Sequence, residues 1–220
     1  GDGAARANTT GGYNTAIGQY SLVSNTTGCH NTALGYYTLG SNTTGRYNIA
    51  VGNEALKVSL SGEYNFAAGY RALYSNWGGY CNTAIGESAL YSNTTGGNNQ
   101  AIGACALYAN TTGSKNIALG YVALKCNTTG VNNTGIGQQA LQNNTTGGYN
   151  NAIGYFALLN NTTGTKNDAI GTQALQNNTT GSYNTALGSQ ALQISLSGDY
   201  NFAAGRCAYI VTGVVVIILL

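Results

Sequence analysis

N-T-T-G-T-K-N-D-A-I-G-T-Q-A-L-Q-N, from Asn161 to Asn177, is followed at once by N-T-T-G-S-Y-N-T-A-L-G-S-Q-A-L-Q-I, from Asn178 to Ile194. The two stretches match column for column, and the match extends in both directions: twelve copies of this 17-residue unit, without insertion or deletion, run from Asn8 to Val211. A short fixed period with so few breaks marks a solenoid, in which each unit is one coil that buries its apolar edge only against its neighbours. Three columns never vary: Gly at position four (Gly11 to Gly198), Asn at position seven (Asn14 to Asn201) and Gly at position eleven (Gly18 to Gly205). Position nine is Ala except at Gly135, and position fifteen is Leu from Leu22 to Leu192, with Tyr209 in the last unit.

Helices fit this unit poorly, because two fixed Gly and several Asn and Thr disfavour a helix interior. Short strands fit better, one around N-x-A-I before the second Gly and another around A-L-x-x after it, joined by G-x-x and by the N-T-T-G corner. The expected fold is therefore all-β. It is a parallel β-solenoid of twelve coils over residues 8–211, with a lead-in over 1–7 and an apolar tail over 212–220 that caps the last coil or joins subunits. The fixed Gly columns imply corners that need positive φ or close backbone approach.

Position-seven Asn should stack on itself coil after coil as a side-chain amide ladder that fixes register. Its members are Asn14, Asn31, Asn48, Asn65, Asn82, Asn99, Asn116, Asn133, Asn150, Asn167, Asn184 and Asn201. In two units Phe66 accompanies Ala68 and Phe202 accompanies Ala204, where the other units pair a smaller eighth residue with Ile, Leu or Val at the tenth. That exchange conserves volume, so positions eight and ten share one side of a strand and position-nine Ala points to the other. If Ala lines the interior, the Ile column, and with it the Leu column, forms an apolar stripe that invites association. If a corner after Gly reverses the facing, both columns fold inward.

Composition excludes several chemistries. Charged residues make up 6% of the chain, the net charge is +2, and the eight Lys and Arg are scattered, so no basic footprint for nucleic acid exists. The single histidine, His30, sits in a variable column without a fixed carboxylate column beside it. Asp2, Glu54, Glu63, Glu87, Asp168 and Asp199 show neither pairing nor metal spacing. Cys29, Cys81, Cys105, Cys126 and Cys207 fall in four different columns without C-x-x-C spacing, against both a disulfide framework and a zinc site. The expectation is a non-enzymatic chain with no cofactor and no metal. The apolar run from Val214 to Leu220 is too short for a membrane span, which needs about twenty residues.

The run Asn82 to Leu90, N-T-A-I-G-E-S-A-L, resembles the head repeats of trimeric autotransporter adhesins and related fibre-like repeats of bacteria and phages. The resemblance spans Asn8 to about Gly205. It implies a left-handed parallel β-roll, association of three chains, an extracellular or cell-surface location, and an exposed surface that binds host matrix or other cells. The unit here departs from that family in its added N-T-T-G corner and in showing neither a coiled-coil stalk nor a membrane anchor.

Two coils stand apart, those at Ser59 and Ser195, which share S-L-S-G-[ED]-Y-N-F-A-A-G. The alternation V-S-L-S or I-S-L-S reads as an extra strand replacing the corner, either a docking site or the mark of a duplicated eight-unit block. The tail residues Val214, Val215, Val216, Ile217, Ile218, Leu219 and Leu220 form a charge-free run of high strand propensity, a candidate for end-to-end assembly. Tyr13, Tyr47, Tyr149 and Tyr183 in the sixth column, and Tyr74, Tyr91 and Tyr108 in the sixteenth, suit contacts with partners or else cover neighbouring backbone. The functional expectation is an extracellular structural fibre or filament subunit whose partners are copies of itself, as a trimer or an end-to-end filament. An adhesin head binding matrix, cells or glycans is the alternative, and an ice-binding array of Thr hydroxyls a more remote one.

Overall fold

A computed structural model describes residues 1–194, 197–211 and 214–215, the backbone only at residues 210–211 and 214–215. The chain divides into two compact units, Gly1–Thr112 and Gly113–Leu220. Both are parallel β-solenoids of 17-residue coils, and no described residue is helical.

The first unit carries β1 (Thr15–Ile17), β2 (Thr32–Leu34), β3 (Ile49–Val51), β4 (Phe66–Ala68), β5 (Thr83–Ile85) and β6 (Gln100–Ile102). Each pairs in parallel with the next, and like columns meet: Thr15 lies beside Thr32, Ala16 beside Ala33, Ile17 beside Leu34. The second unit repeats the scheme with β7 (Ile117–Leu119), β8 (Thr134–Ile136), β9 (Asn151–Ile153), β10 (Asp168–Ile170), β11 (Thr185–Leu187) and β12 (Phe202–Ala204). Backbone hydrogen bonds alternate in direction around each coil. Thr32 N donates forward to Asn48 O at 2.8 Å, and Gly35 N donates back to Ile17 O at 2.8 Å. Within each unit an interior coil is thereby fastened on both sides.

Each coil has one strand rather than the two its sequence suggests. The A-L-x-x segment turns instead, because positions thirteen and fifteen both adopt left-handed φ; in one coil Arg71 has φ 53° and Leu73 φ 52°. Position six is left-handed as well, from Tyr13 (φ 59°) to Tyr200 (φ 57°). A non-glycine residue in this region costs roughly 1–2 kcal/mol. At position fifteen burial outweighs the cost: Leu22 through Leu175 are fully buried, and burying a Leu contributes about 1.5–3 kcal/mol.

The same turns settle the facing of the apolar columns. Position-nine Ala, position-fourteen Ala and position-fifteen Leu fill the interior, while the position-ten column faces out, with Ile17 at 57% exposure and Ile170 at 44%. The two apolar columns therefore do not share a fate: Ile goes outward and Leu inward, since the positive-φ Gly at position eleven and the left-handed residue at thirteen turn the chain between them.

The two Gly columns are required for different reasons. Position eleven has positive φ, as at Gly35 (φ 136°), and a Cβ there would lie 2.5 Å from Gly52 O. Position four lacks positive φ but packs against the next coil so closely that a Cβ on Gly28 would meet Gly45 O and Asn25 Oδ1. Residues 1–7, read from sequence as a lead-in, occupy positions eleven to seventeen of a coil, with Gly3 and Ala5 left-handed and Ala5 N bonded to Ser21 O at 2.9 Å. At the other end β13 (Ile210–Val211) pairs antiparallel with β14 (Val214–Val215), a departure from the solenoid pattern.

Candidate interaction surfaces

The position-seven asparagines form their ladder inside the coils. Within the first unit the chain of bonds runs from Asn14 to Asn99, and within the second from Asn116 to Asn201. The principal contact is to backbone: Asn14 Oδ1 accepts from Asn31 N at 2.9 Å, and Asn31 Nδ2 donates to Gly45 O at 2.8 Å. Amide-to-amide bonds accompany it in some coils, such as Asn48 Nδ2 to Asn31 Oδ1 at 3.2 Å. From Asn31 to Asn184 these side chains are buried between coils, so they fix register and are closed to a ligand; Asn14 and Asn201 at the ends are half-buried.

A second ladder stands at position one, where sequence reasoning saw only a corner. Asn25 Nδ2 donates to Asn8 Oδ1 at 2.8 Å and Asn42 Nδ2 to Asn25 Oδ1 at 2.7 Å; Asn144, Asn161 and Asn178 continue the pattern in the second unit. The signal was the persistence of Asn in ten of the twelve units, stronger than a turn demands. Ser59 interrupts it. Its Oγ and the facing Asn42 Oδ1 are both buried without a partner, because serine is too short to replace the amide. Asn178 Oδ1 is also buried and unpaired, and Ser195 is the residue that follows it in this column.

The V-S-L-S segment expected as an extra strand supplies one isolated parallel bridge, Val58 to Ser75. Outside it, position two loses its threonines and carries Leu60 (44% exposed) and then Trp77 (56%), and Tyr80 at position five of the same coil as Trp77 is 51% exposed. Threonines elsewhere in that column are engaged, as when Thr26 Oγ1 donates to Thr43 O at 3.0 Å.

The sixth-column tyrosines stack. Tyr13, His30, Tyr47 and Tyr64 follow one another with centroids 4.9 Å apart and planes within 5°. Tyr183 and Tyr200 repeat this in the second unit at 4.8 Å, and Tyr149 is exposed between Asn132 and Lys166 in its column. Tyr74, Tyr91 and Tyr108 form a second stack with spacings of 4.9 and 5.0 Å. Burial raises the Tyr91 hydroxyl pKa, assisted by Tyr74. Rings stacked along the solenoid occupy one another's faces and leave mainly edges to solvent.

One ion cluster sits among these rings. Lys57 Nζ contacts Glu54 Oε1 at 2.7 Å, Arg71 Nε contacts Glu54 Oε2 at 2.7 Å, and the two cations lie near the faces of Tyr37 and Tyr70. The hydrogen bond from Lys57 lowers the Glu54 pKa against the opposing effect of burial, and the bond to Glu54 raises that of Lys57. The single Glu54 carboxylate pairs with both cations, which leaves the cluster a net charge of +1. Among the described residues no three His, Cys, Asp or Glu gather as for a metal, and all five cysteines are free. Cys207 Sγ donates to Gln190 Oε1 at 3.2 Å beside an open cleft lined by Gln190, Gln193, Ile194 and Tyr209.

The outward sheet face carries a continuous apolar column. In the first unit its tenth column presents Ile17, Leu34, Val51, Ile85 and Ile102 at 36–57% exposure, and neither column eight nor column ten contains a charge. The second unit places Asn151 and Asp168 in column eight, hydrogen-bonded to each other at 2.7 Å. Of the tail, Val214 and Val215 belong to β14, while Val216, Ile217, Ile218, Leu219 and Leu220 lie outside the described residues. No helix of the described residues is long and apolar enough to cross a membrane. No family model, no curated protein and no solved structure matches this chain.

Proposed function

We propose that this chain is a non-enzymatic structural subunit of an extracellular or cell-surface fibre, working by self-association of a rigid solenoid. The observation that carries the reading is the outward apolar column of the first unit on a coil stack whose own core is already complete. Interior Ala, Leu and Asn are buried without it, so the surface that this column leaves exposed is not needed to close the core, and contiguous apolar surface of this kind marks an interaction site. The buried amide ladders support the same role, since they hold the coils in register and make the surface stiff. The apolar tail is a second candidate contact, joining subunits end to end.

A second reading, an adhesin head that binds matrix, cells or glycans, is favoured by the exposed Leu60, Trp77 and Tyr80 where the corner loses its threonines. Electron microscopy of the purified chain, paired with binding to matrix proteins and glycans at concentrations where it is monomeric, separates the two. Ordered assemblies without ligand binding support the fibre. Ligand binding by the monomer with no assembly at any concentration supports the adhesin and overturns the fibre.

A further inference from the structure

We infer that the outward sheet face of the first unit pairs with the same face of a second copy about a two-fold axis parallel to the solenoid, in register. This rests on reading that face as the self-association surface and adds its partner and geometry. The argument starts from the paired exchange at Phe66 and Ala68. Both side chains lie on the outward side of β4, flanking buried Ala67. On a solvated face nothing would require a large residue at position eight to be matched by a small one at position ten. A covering surface would.

A two-fold axis along the stacking direction reverses each strand across the interface while keeping every rung at its own height. Position eight then faces the partner's position ten on the same rung, and position nine is the centre of the exchange. Phe66 therefore sits against the partner's Ala68, and Ala68 receives the partner's Phe66. On β1, β2 and β5 the same operation sets Thr against Ile or Leu, and on β3 Ile49 against the partner's Val51, so each of these contacts pairs a larger side chain with a smaller one at similar total volume. The operation also matches column six to column twelve, bringing the exposed Tyr47 and Tyr64 column opposite the column of Tyr36 and Tyr70.

These flanking tyrosines matter for size. Six rungs at about 4.8 Å give an apolar strip roughly 24 Å long, which alone falls short of the ~800 Å² per partner typical of stable complexes. Aromatic margins widen it in the manner of known interfaces. Absence of charge in columns eight and ten of this unit removes the desolvation penalty that Asp168 would bring to the corresponding face of the second unit.

Sedimentation equilibrium of the full chain with two single variants decides the matter. Phe66→Ala leaves two holes per dimer and Ala68→Phe two clashes, so each variant should self-associate at least roughly tenfold more weakly than the unaltered chain. Mixed in equal amounts, the two should form a heterodimer of near-original affinity, because the shortened position 66 of the first variant then faces the enlarged position 68 of the second, while Ala68 of the first faces Phe66 of the second. The double exchange Phe66→Ala with Ala68→Phe should restore the homodimer, and far-UV circular dichroism confirms folding. If Ala68→Phe fails to fold, Ala68→Leu serves as the smaller knob. A monomeric unaltered chain overturns both this proposal and the self-association reading beneath it. Association that survives the single changes, that is not rescued by mixing, or that settles at three chains overturns the two-fold register and leaves self-association standing.

Discussion

Ser59 shows how much one amide matters. Replacing Asn by Ser in the position-one column leaves Asn42 Oδ1 and Ser59 Oγ buried and unpaired, and each such group costs about 1–3 kcal/mol. Ser59→Asn should complete the ladder and stabilise the chain by about 1–3 kcal/mol, read as a higher denaturant midpoint at unchanged slope; no gain would mean the site relaxes by other means. Glycine offers a matched contrast. Gly28→Ala drives a Cβ into Gly45 O and should cost about 2–4 kcal/mol, whereas Gly12, with nothing within 4 Å of a built Cβ and no positive φ, should accept Ala with little change in melting temperature. At Glu54 the folded pKa is depressed, so its contribution is present above the ordinary carboxylate range and disappears as pH falls through the folded value. Acid titration of stability should show that loss in the unaltered chain and lack it in Glu54→Gln.

Elements repeat these residue-scale decisions twelve times, which is why some were readable in advance. Position-seven Asn and the Gly columns declared themselves by never varying among internal copies, and the Phe66 and Ala68 exchange gave the facing of the strand. The Leu column was not readable: Leu carries no tendency toward left-handed φ, so A-L-x-x looked extended, and only the backbone reveals that the burial of Leu73 outweighs the strain at φ 52°. The position-one ladder was hidden for the opposite reason, since Asn before Thr and Gly is what any turn would use. The outward strand face yields a prediction of its own. Ile85→Lys should leave thermal stability within about 0.5 kcal/mol, as expected for a surface change, while lowering self-association; a large loss of folding stability would mean that column ten supports the coil itself.

At the scale of the whole molecule, each of the two units is fastened coil to neighbouring coil, and the columns that set the corners and the interior are continued by like residues. Fastening of this sort makes no reference to how many coils there are. Excision of Asn144–Asn160, one full unit, should therefore leave a chain that folds with near-native circular dichroism, since Asn127 then meets Asn161 and Leu141 meets Leu175. Removal of Gly148 alone shortens one coil to sixteen residues, so that its columns no longer all meet those of the coil before it; rapid amide exchange should appear in that coil, while the later coils, each still seventeen residues long, keep register with one another. Such a chain can be lengthened or shortened in whole steps of its own ruler, so a lineage could add or drop entire coils, while a single-codon gap damages the coil it falls in.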